Sequence, residues 1–262
     1  MGRTLSRPDA PRRTCRIGVV AALLVAPLGW QFSAAAGVEP VSVTAMERFL
    51  ARRAAAHQYA ASRRLEASGK GQRAWLDART HFTRASGLSY EVTAVGGSGF
   101  IRARVLRSLL DEEKQLIARG GEAGVALSPA NYEFSPEGVN EEGLAVVGLR
   151  PLRKDRSLIA GRMFLSATDG ELLRVEGRLA KNPSFWVTRV NVVRSYRRIN
   201  GVLMPVSLDT KAQLRLIGSS TLRMTYRYSQ VDGRPVGEGG EHQPGDRSVL
   251  PFRSLPLPGG SN

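Results

Sequence analysis

Residues 199–216, INGVLMPVSLDTKAQLRL, decide the fold class. Val202, Met204, Val206, Leu208, Ala212, Leu214 and Leu216 share one parity, and Ser207, Asp209, Lys211, Gln213 and Arg215 share the other. Successive strand side chains point to opposite faces, so this is a strand with one buried and one wet side. Asn200-Gly201, just ahead of it, signals a tight hairpin, because both central residues of a type I′ turn take positive φ. Pro205 has no N–H to give a ladder, which predicts an edge or a bulge at that point.

The same period-two pattern extends outward. Toward the C-terminus, Leu222, Met224, Tyr226 and Tyr228 alternate with Thr221, Arg223, Thr225 and Arg227. Toward the N-terminus, strands are expected at 186–196, 171–179, 157–165 and 143–149, with a second hairpin signal at Asp169-Gly170. Leu173, Val175 and Leu179 are read as the inward positions of 171–179. Two further strands fit 74–82 and 88–94, where Leu76, Tyr90 and Val92 face inward.

Two helices interrupt the β pattern. Residues 44–66 carry Met46, Phe49, Leu50, Ala54, Ala60 and Ala61 on one broad face, with Thr44 and Glu47 at capping-box spacing. Residues 99–118 set Ile101, Val105 and Leu109 beside Leu106, Leu110 and Ile117, and Gly120-Gly121 closes the helix. The expected fold is therefore mainly β (α+β): an incomplete antiparallel barrel or strongly curved sheet, with two main helices over its concave apolar face. About eight strands at ~4.8 Å each make a sheet ~38 Å wide, and a helix covers a stripe ~10 Å wide. Two helices thus blanket about half of it. Either the sheet's own side chains fill the rest, or a ligand-sized apolar groove remains.

The first 36 residues read as a cleavable secretory signal: five arginines, then the apolar run Ile17–Leu28, then small residues at 33–37. Cys15 precedes that run, so the mature chain is expected to carry no thiol. Residues 37–232 form the domain, and 233–262, rich in Gly and Pro, read as a disordered tail. The formal charge of +15 falls to about +11 without the signal, which favours anionic partners. Export argues against nucleic acid.

No catalytic or metal-binding grouping emerges. His57, His81 and His242 stand apart, without ligand spacing to other side chains. Gly97-Ser98-Gly99 lacks the second flanking glycine of a nucleophile elbow and reads as a turn with Ser98 at a helix N-cap. Asp111-Glu112-Glu113 reads as a solvated helix face beside Arg107 and Lys114. The basic loop 150–156 offers Arg150, Arg153, Lys154 and Arg156 to anionic head groups or simply to water. Phe185 and Trp186 either plug one end of the core or form a lip at a cavity mouth.

The order of elements resembles that of the LolA/LolB-like family of outer-membrane lipoprotein-sorting proteins, which includes RseB-type envelope sensors and related lipid-binding lipoproteins. The resemblance rests on a signal, a long N-terminal helix, two strands, a helix and a long meander. Within the meander it rests on FLSATDGELLRVEGRLA (164–180) and INGVLMPVSLDT (199–210), each with a hairpin turn before a strand. It covers most of 44–231. It implies a half-barrel with helices lidding an apolar cavity, no cofactor, no enzymatic activity, a periplasmic location, and a lipid or acylated lipoprotein as partner. An anionic membrane surface is a further partner. The cavity would then be lined by Leu76, Tyr90, Val92, Leu173, Val206, Leu208, Met224 and Tyr226, with Phe49, Ile101, Val105 and Leu109 on the lids. The family also implies polar contacts between a barrel strand and the lid helices, for which Arg73, Arg79 and Arg84 are the candidate strand arginines. An envelope sensor or protein-interaction module with a filled core stays open beside the carrier.

Overall fold

The computed structural model describes residues 40–52, 55–215 and 218–237. The expected signal at 1–36, Cys15, Arg53, Ala54, Leu216, His242 and most of the expected tail lie outside the described residues.

The chain enters through helix α1 (Pro40–Ala51) and makes three antiparallel strands, β1 (Gln58–Gly69), β2 (Gln72–Thr83) and β3 (Gly87–Gly97). A helical passage follows: α2 (Gly99–Ile101), a π-helical segment (Arg102–Arg107), α3 (Ser108–Ala118) and the short α4 (Glu122–Val125). The meander then runs through β4 (Tyr132–Val139), β5 (Leu144–Pro151), β6 (Ile159–Ser166), β7 (Leu172–Leu179), β8 (Val187–Ile199), β9 (Val202–Leu214) and β10 (Gly218–Val231), ending in the two-residue β11 (Arg234–Pro235).

One sheet results, in the order β3-β2-β1-β10-β9-β8-β7-β6-β5-β4, with β11 paired to β10. The sheet is curved and unclosed: β3 and β4 are its two edges, and the helical passage links them. This is the incomplete antiparallel barrel that the alternating pattern predicts.

The expected helix over 44–66 is corrected. It starts earlier, at Pro40, and stops at Ala51, and residues 58–69 are strand. Thr44 consequently sits inside α1 and caps nothing. In β1 the residues 61, 63, 65 and 67 are buried while 62, 64 and 66 are exposed, a period of two. The inward positions hold Ala61, Arg63, Leu65 and Ala67, which are helix-tolerant residues, so local propensity pointed the wrong way and strand pairing on both sides overrode it. The stretch Ser68–Gly71 is accordingly a hairpin turn, with Lys70 at φ 53° and Gly71 at φ 73°. The strand thus gained raises the number of long strands from the expected eight or nine to ten, and places β1 beside β10.

The two turn signals hold. Asn200 (φ 51°) and Gly201 (φ 88°) join β8 to β9. Gly170 (φ 71°) joins β6 to β7, and a Cβ there would lie 2.5 Å from the Ala45 carbonyl oxygen, so the glycine also lets α1 approach. Four irregularities interrupt the meander, one of them at Val187–Arg189 of β8. The β8–β9 register steps from Ser195–Ser207 to Tyr196–Pro205, leaving Val206 as the extra residue beside the expected proline. Between β6 and β7 the extra residue is Leu173. On edge strand β4 the register steps between Pro136 and Gly138.

The core has two main centres. In the first, α1 lays Ala45, Met46 and Phe49 over β4–β8, whose Val147, Met163, Leu165, Leu172 and Val175 are fully buried. In the second, Leu106 and Leu110 of the helical passage lock onto Leu65, Leu76, Ala78 and Met224 of β1, β2 and β10. Each fully buried leucine contributes roughly 1.5–3 kcal/mol. Leu208 touches both centres. A third, smaller cluster of Ala61, Val202, Met204, Tyr228 and Val231 closes one end of the sheet. Among the described residues, no helix is long and apolar enough to cross a membrane.

Candidate functional site

The helices do not sit together over the middle of the sheet. The main helix contacts are of α1 with β4, β5 and β6, and of the π-helical segment and α3 with β1, β2 and β3. Between them lie β10, β9 and β8, and on β9 every residue from Pro205 to Ala212 is half-buried. The concave face over these strands, flanked by a packed wall on each side, is termed the trough.

Most of the predicted lining residues gather on one wall. Leu76 and Met224 are buried there, and Tyr90, Val92, Ile101, Leu109, Leu208 and Tyr226 pack against them. Phe49 belongs to the opposite wall. Three positions fall elsewhere. Leu173 is 36% exposed because it is the bulge residue, and the inward positions on either side of the bulge go to Leu172 and Val175. Val105 is 37% exposed because the wider π-helical turn brings Leu106 inward instead. Val206 is the extra residue beside Pro205.

The wall under α3 carries polar ties. Arg63 projects inward from β1, is 2% exposed, and grips Glu113 of α3 through both terminal nitrogens, at 2.5 and 3.1 Å. Its Nη2 also donates to the Tyr59 hydroxyl at 3.0 Å, and its guanidinium lies 4.8 Å from the centre of the Tyr226 ring. A second tie joins helix to sheet: the Tyr90 hydroxyl donates to Asp111 at 2.6 Å. Burial, with the hydrogen bond to Asp111, pushes the Tyr90 hydroxyl up to about 12. Burial, opposed by Arg63, does the same for Tyr59. Both therefore remain donors at neutral pH.

Two sequence expectations are corrected here. Asp111 and Glu112 are exposed as expected, but Asp111 and the partly buried Glu113 also hold α3 to the sheet. The strand arginine that does so is Arg63, not Arg73, Arg79 or Arg84; Arg73 and Arg79 point to solvent on β2, and Arg84 reaches back to the Ala55 carbonyl. Reading 58–66 as helix hid Arg63. Its signal was an arginine at an inward position of an alternating run, visible once the period is taken as two.

The basic loop is only partly free. Arg150 pairs with Glu133, and Arg153 donates to Asn131 at 2.7 Å and to the Gly124 carbonyl. Arg153 and Lys154 nevertheless line a cleft of about 510 Å³ with Arg178, Arg189 and Leu152, between the β5–β6 loop, the end of β7 and the start of β8. Arg156 is not part of that lining. Phe185 and Trp186 plug nothing: they are 71% and 57% exposed, packed edge to face on the loop before β8. Ser98 begins the helical passage without a side-chain cap, its hydroxyl donating to Gln72 instead. Among the described residues, no group of three or more His, Cys, Asp or Glu could hold a metal ion.

No family model matches the chain, and no curated protein matches it. Solved structures do. An outer membrane lipoprotein-sorting protein domain from Vibrio parahaemolyticus is 12% identical over 74% of this chain and 94% of its own, with a TM-score of 0.36. A LolA superfamily protein from Nitrosomonas europaea is 9% identical over 76% and 96%, with a TM-score of 0.33. A DUF1329 family protein from Desulfovibrio piger is 10% identical over 72% and 89%, with a TM-score of 0.34.

Proposed function

We propose that this protein is an exported, periplasmic, non-enzymatic binder or carrier of an amphiphile, a lipid or the acyl chains of a lipoprotein, held in the trough over β8–β10. The observation that carries the reading is the Arg63–Glu113 pair. A guanidinium sealed inside an apolar sheet is costly, and hydrophobic packing alone would hold a permanent lid as well. A charged tie between a strand and a helix suits an element that detaches and returns. Release of α3 would expose Leu65, Leu76 and Met224 to an acyl chain, each CH₂ of which contributes ~0.8 kcal/mol on burial.

The rim supplies a way to meet a membrane. Arg153, Lys154, Arg178 and Arg189 around the cleft, with Leu152, Phe185 and Trp186 exposed nearby, combine cations and apolar side chains as an anionic bilayer surface requires. Flotation with vesicles should show binding to phosphatidylglycerol-containing membranes that weakens with salt, and none to pure phosphatidylcholine.

A second reading has its own support. Leu65, Leu76, Leu106 and Leu110 are fully buried against one another, as in an envelope sensor or interaction module with a filled core. Native mass spectrometry of the protein purified from cells separates the two. Co-purified lipid, or uptake of a fluorescent fatty acid, supports the carrier. Absence of both, with a protein partner recovered instead, supports the sensor.

A further inference from the structure

The trough holds more positive than negative charge on its inward face. Arg63 is paired across the β1–β10 ladder with Tyr226. Three strands away, Arg194 of β8 is paired with Leu208 of β9, which packs against both walls and so points inward. Tyr196, two residues on from Arg194, packs inward too. Directly paired residues and residues two apart share a face, so Arg194 is aimed into the trough. The Nε atoms of both arginines are buried and have no hydrogen-bond partner. Buried donors are rarely left unspent. Against these two cations stands Glu113, which Arg63 engages and which reaches them from α3.

We propose that the space between Arg63 and Arg194 is a seat for the anionic head group of an amphiphile, a carboxylate or a phosphate, and that Glu113 occupies that seat while the trough is empty. This rests on the amphiphile reading above and adds the ligand's charge. The mechanism is exchange. When α3 lifts, Glu113 leaves with it, and Arg63 would face the apolar walls unpaired. An arriving anion restores its bidentate partner and offers acceptors to the two idle Nε–H groups, while its chain lies along Leu208 and Met224. A neutral amphiphile of the same length buries the same chain but leaves Arg63 and Arg194 with only the neutral hydroxyls of Tyr59 and Tyr196 as partners, so the seat selects by charge. Tyr59 and Tyr226, flanking Arg63, add neutral donors and no competing negative charge.

The test is competitive binding to the full mature chain, measured by native mass spectrometry, with oleate, oleoyl lysophosphatidate, oleyl alcohol and inorganic phosphate as probes. The expected result is that one or both anionic lipids bind on the order of tenfold or more tightly than oleyl alcohol. That preference should collapse in Arg194→Leu with oleyl alcohol binding kept. Glu113→Gln, which weakens the resident competitor, should raise oleate affinity severalfold. Which of the two anionic lipids binds better tells carboxylate from phosphate. Equal binding of oleate and oleyl alcohol overturns the seat and leaves the amphiphile reading standing. No uptake of any lipid overturns both. Binding of inorganic phosphate without lipid uptake overturns the head-group assignment. If Arg194→Leu fails to fold, the Glu113→Gln arm decides: unchanged or weaker oleate binding overturns the proposal.

Discussion

The two walls of the trough are built differently. At one end α1 rests on β4–β6, with Ala45 and Ser42 fully buried and Met46 and Phe49 packed onto a floor of Val147, Met163, Leu165, Leu172 and Val175. At the other, Leu106 and Leu110 are fully buried, Ile101 and Leu109 pack beside them, and two polar ties add to the hold: Glu113 on Arg63 and Asp111 on Tyr90. Apolar packing is short-ranged and indifferent to what is dissolved nearby. Charged ties can be exchanged for a ligand's own groups. On the proposed reading, the first wall is the anchor of the fold and the second its moving part.

The largest effect should come from the anchor. Leu165→Ala should cost about 2–5 kcal/mol, as cavity-forming changes at sealed sites do, read as a lower urea midpoint, with lipid uptake per folded molecule unchanged. A loss of uptake without loss of stability would reverse the assignment of roles. Next, Arg63→Met should cost about 2–4 kcal/mol, because it abandons Glu113 beside an apolar wall. Hydrogen exchange should quicken over 108–118 and stay unchanged over 40–51; equal quickening in both would mean that the walls are one cooperative unit. Tyr90→Phe, which removes one neutral-to-charged hydrogen bond, should cost about 0.5–1.5 kcal/mol and loosen the same helix less.

The contrast between these walls shows which parts of the fold could be read from residues alone. The meander was legible because β9 alternates cleanly and Asn200-Gly201 admits positive φ at both positions. β1 was not, because Ala61, Arg63 and Ala67 at its inward positions carry little hydrophobic signal, and its burial comes from β2, β10 and α3, all distant in sequence. Most of the trough lining was legible as the inward parity of each strand. It failed at Leu173, where an extra residue flips parity, and at Val105, where a π-helical turn shifts the buried ridge by one position. Neither insertion leaves a mark in composition. The polar tie was missed because it needs the strand assignment first.

The smallest effect is silent at neutral pH. Tyr59 and Tyr90 are held up to about 12, against roughly 10 in an unfolded chain. A raised pKa stabilises the fold fully below pH ~10, and the contribution is lost as pH rises through the folded value. Absorbance at 295 nm should therefore show a tyrosine class that ionises late, together with unfolding. Replacing Tyr59 by Phe should remove its share of that delay, while Tyr90 and, on the anchor side, Tyr132 keep their own upward shifts. Ionisation of every tyrosine near 10 in the folded protein would contradict the sealed interior.

Pro136 has a consequence beyond bending β4. An unclosed sheet leaves a border where unpaired backbone could recruit a neighbouring molecule and begin a fibre. At Pro136 the rung has no N–H to offer, and the adjacent step in register at Gly138 breaks the line of any would-be partner. An unclosed sheet is thereby made a poorer template for its own copies along this edge.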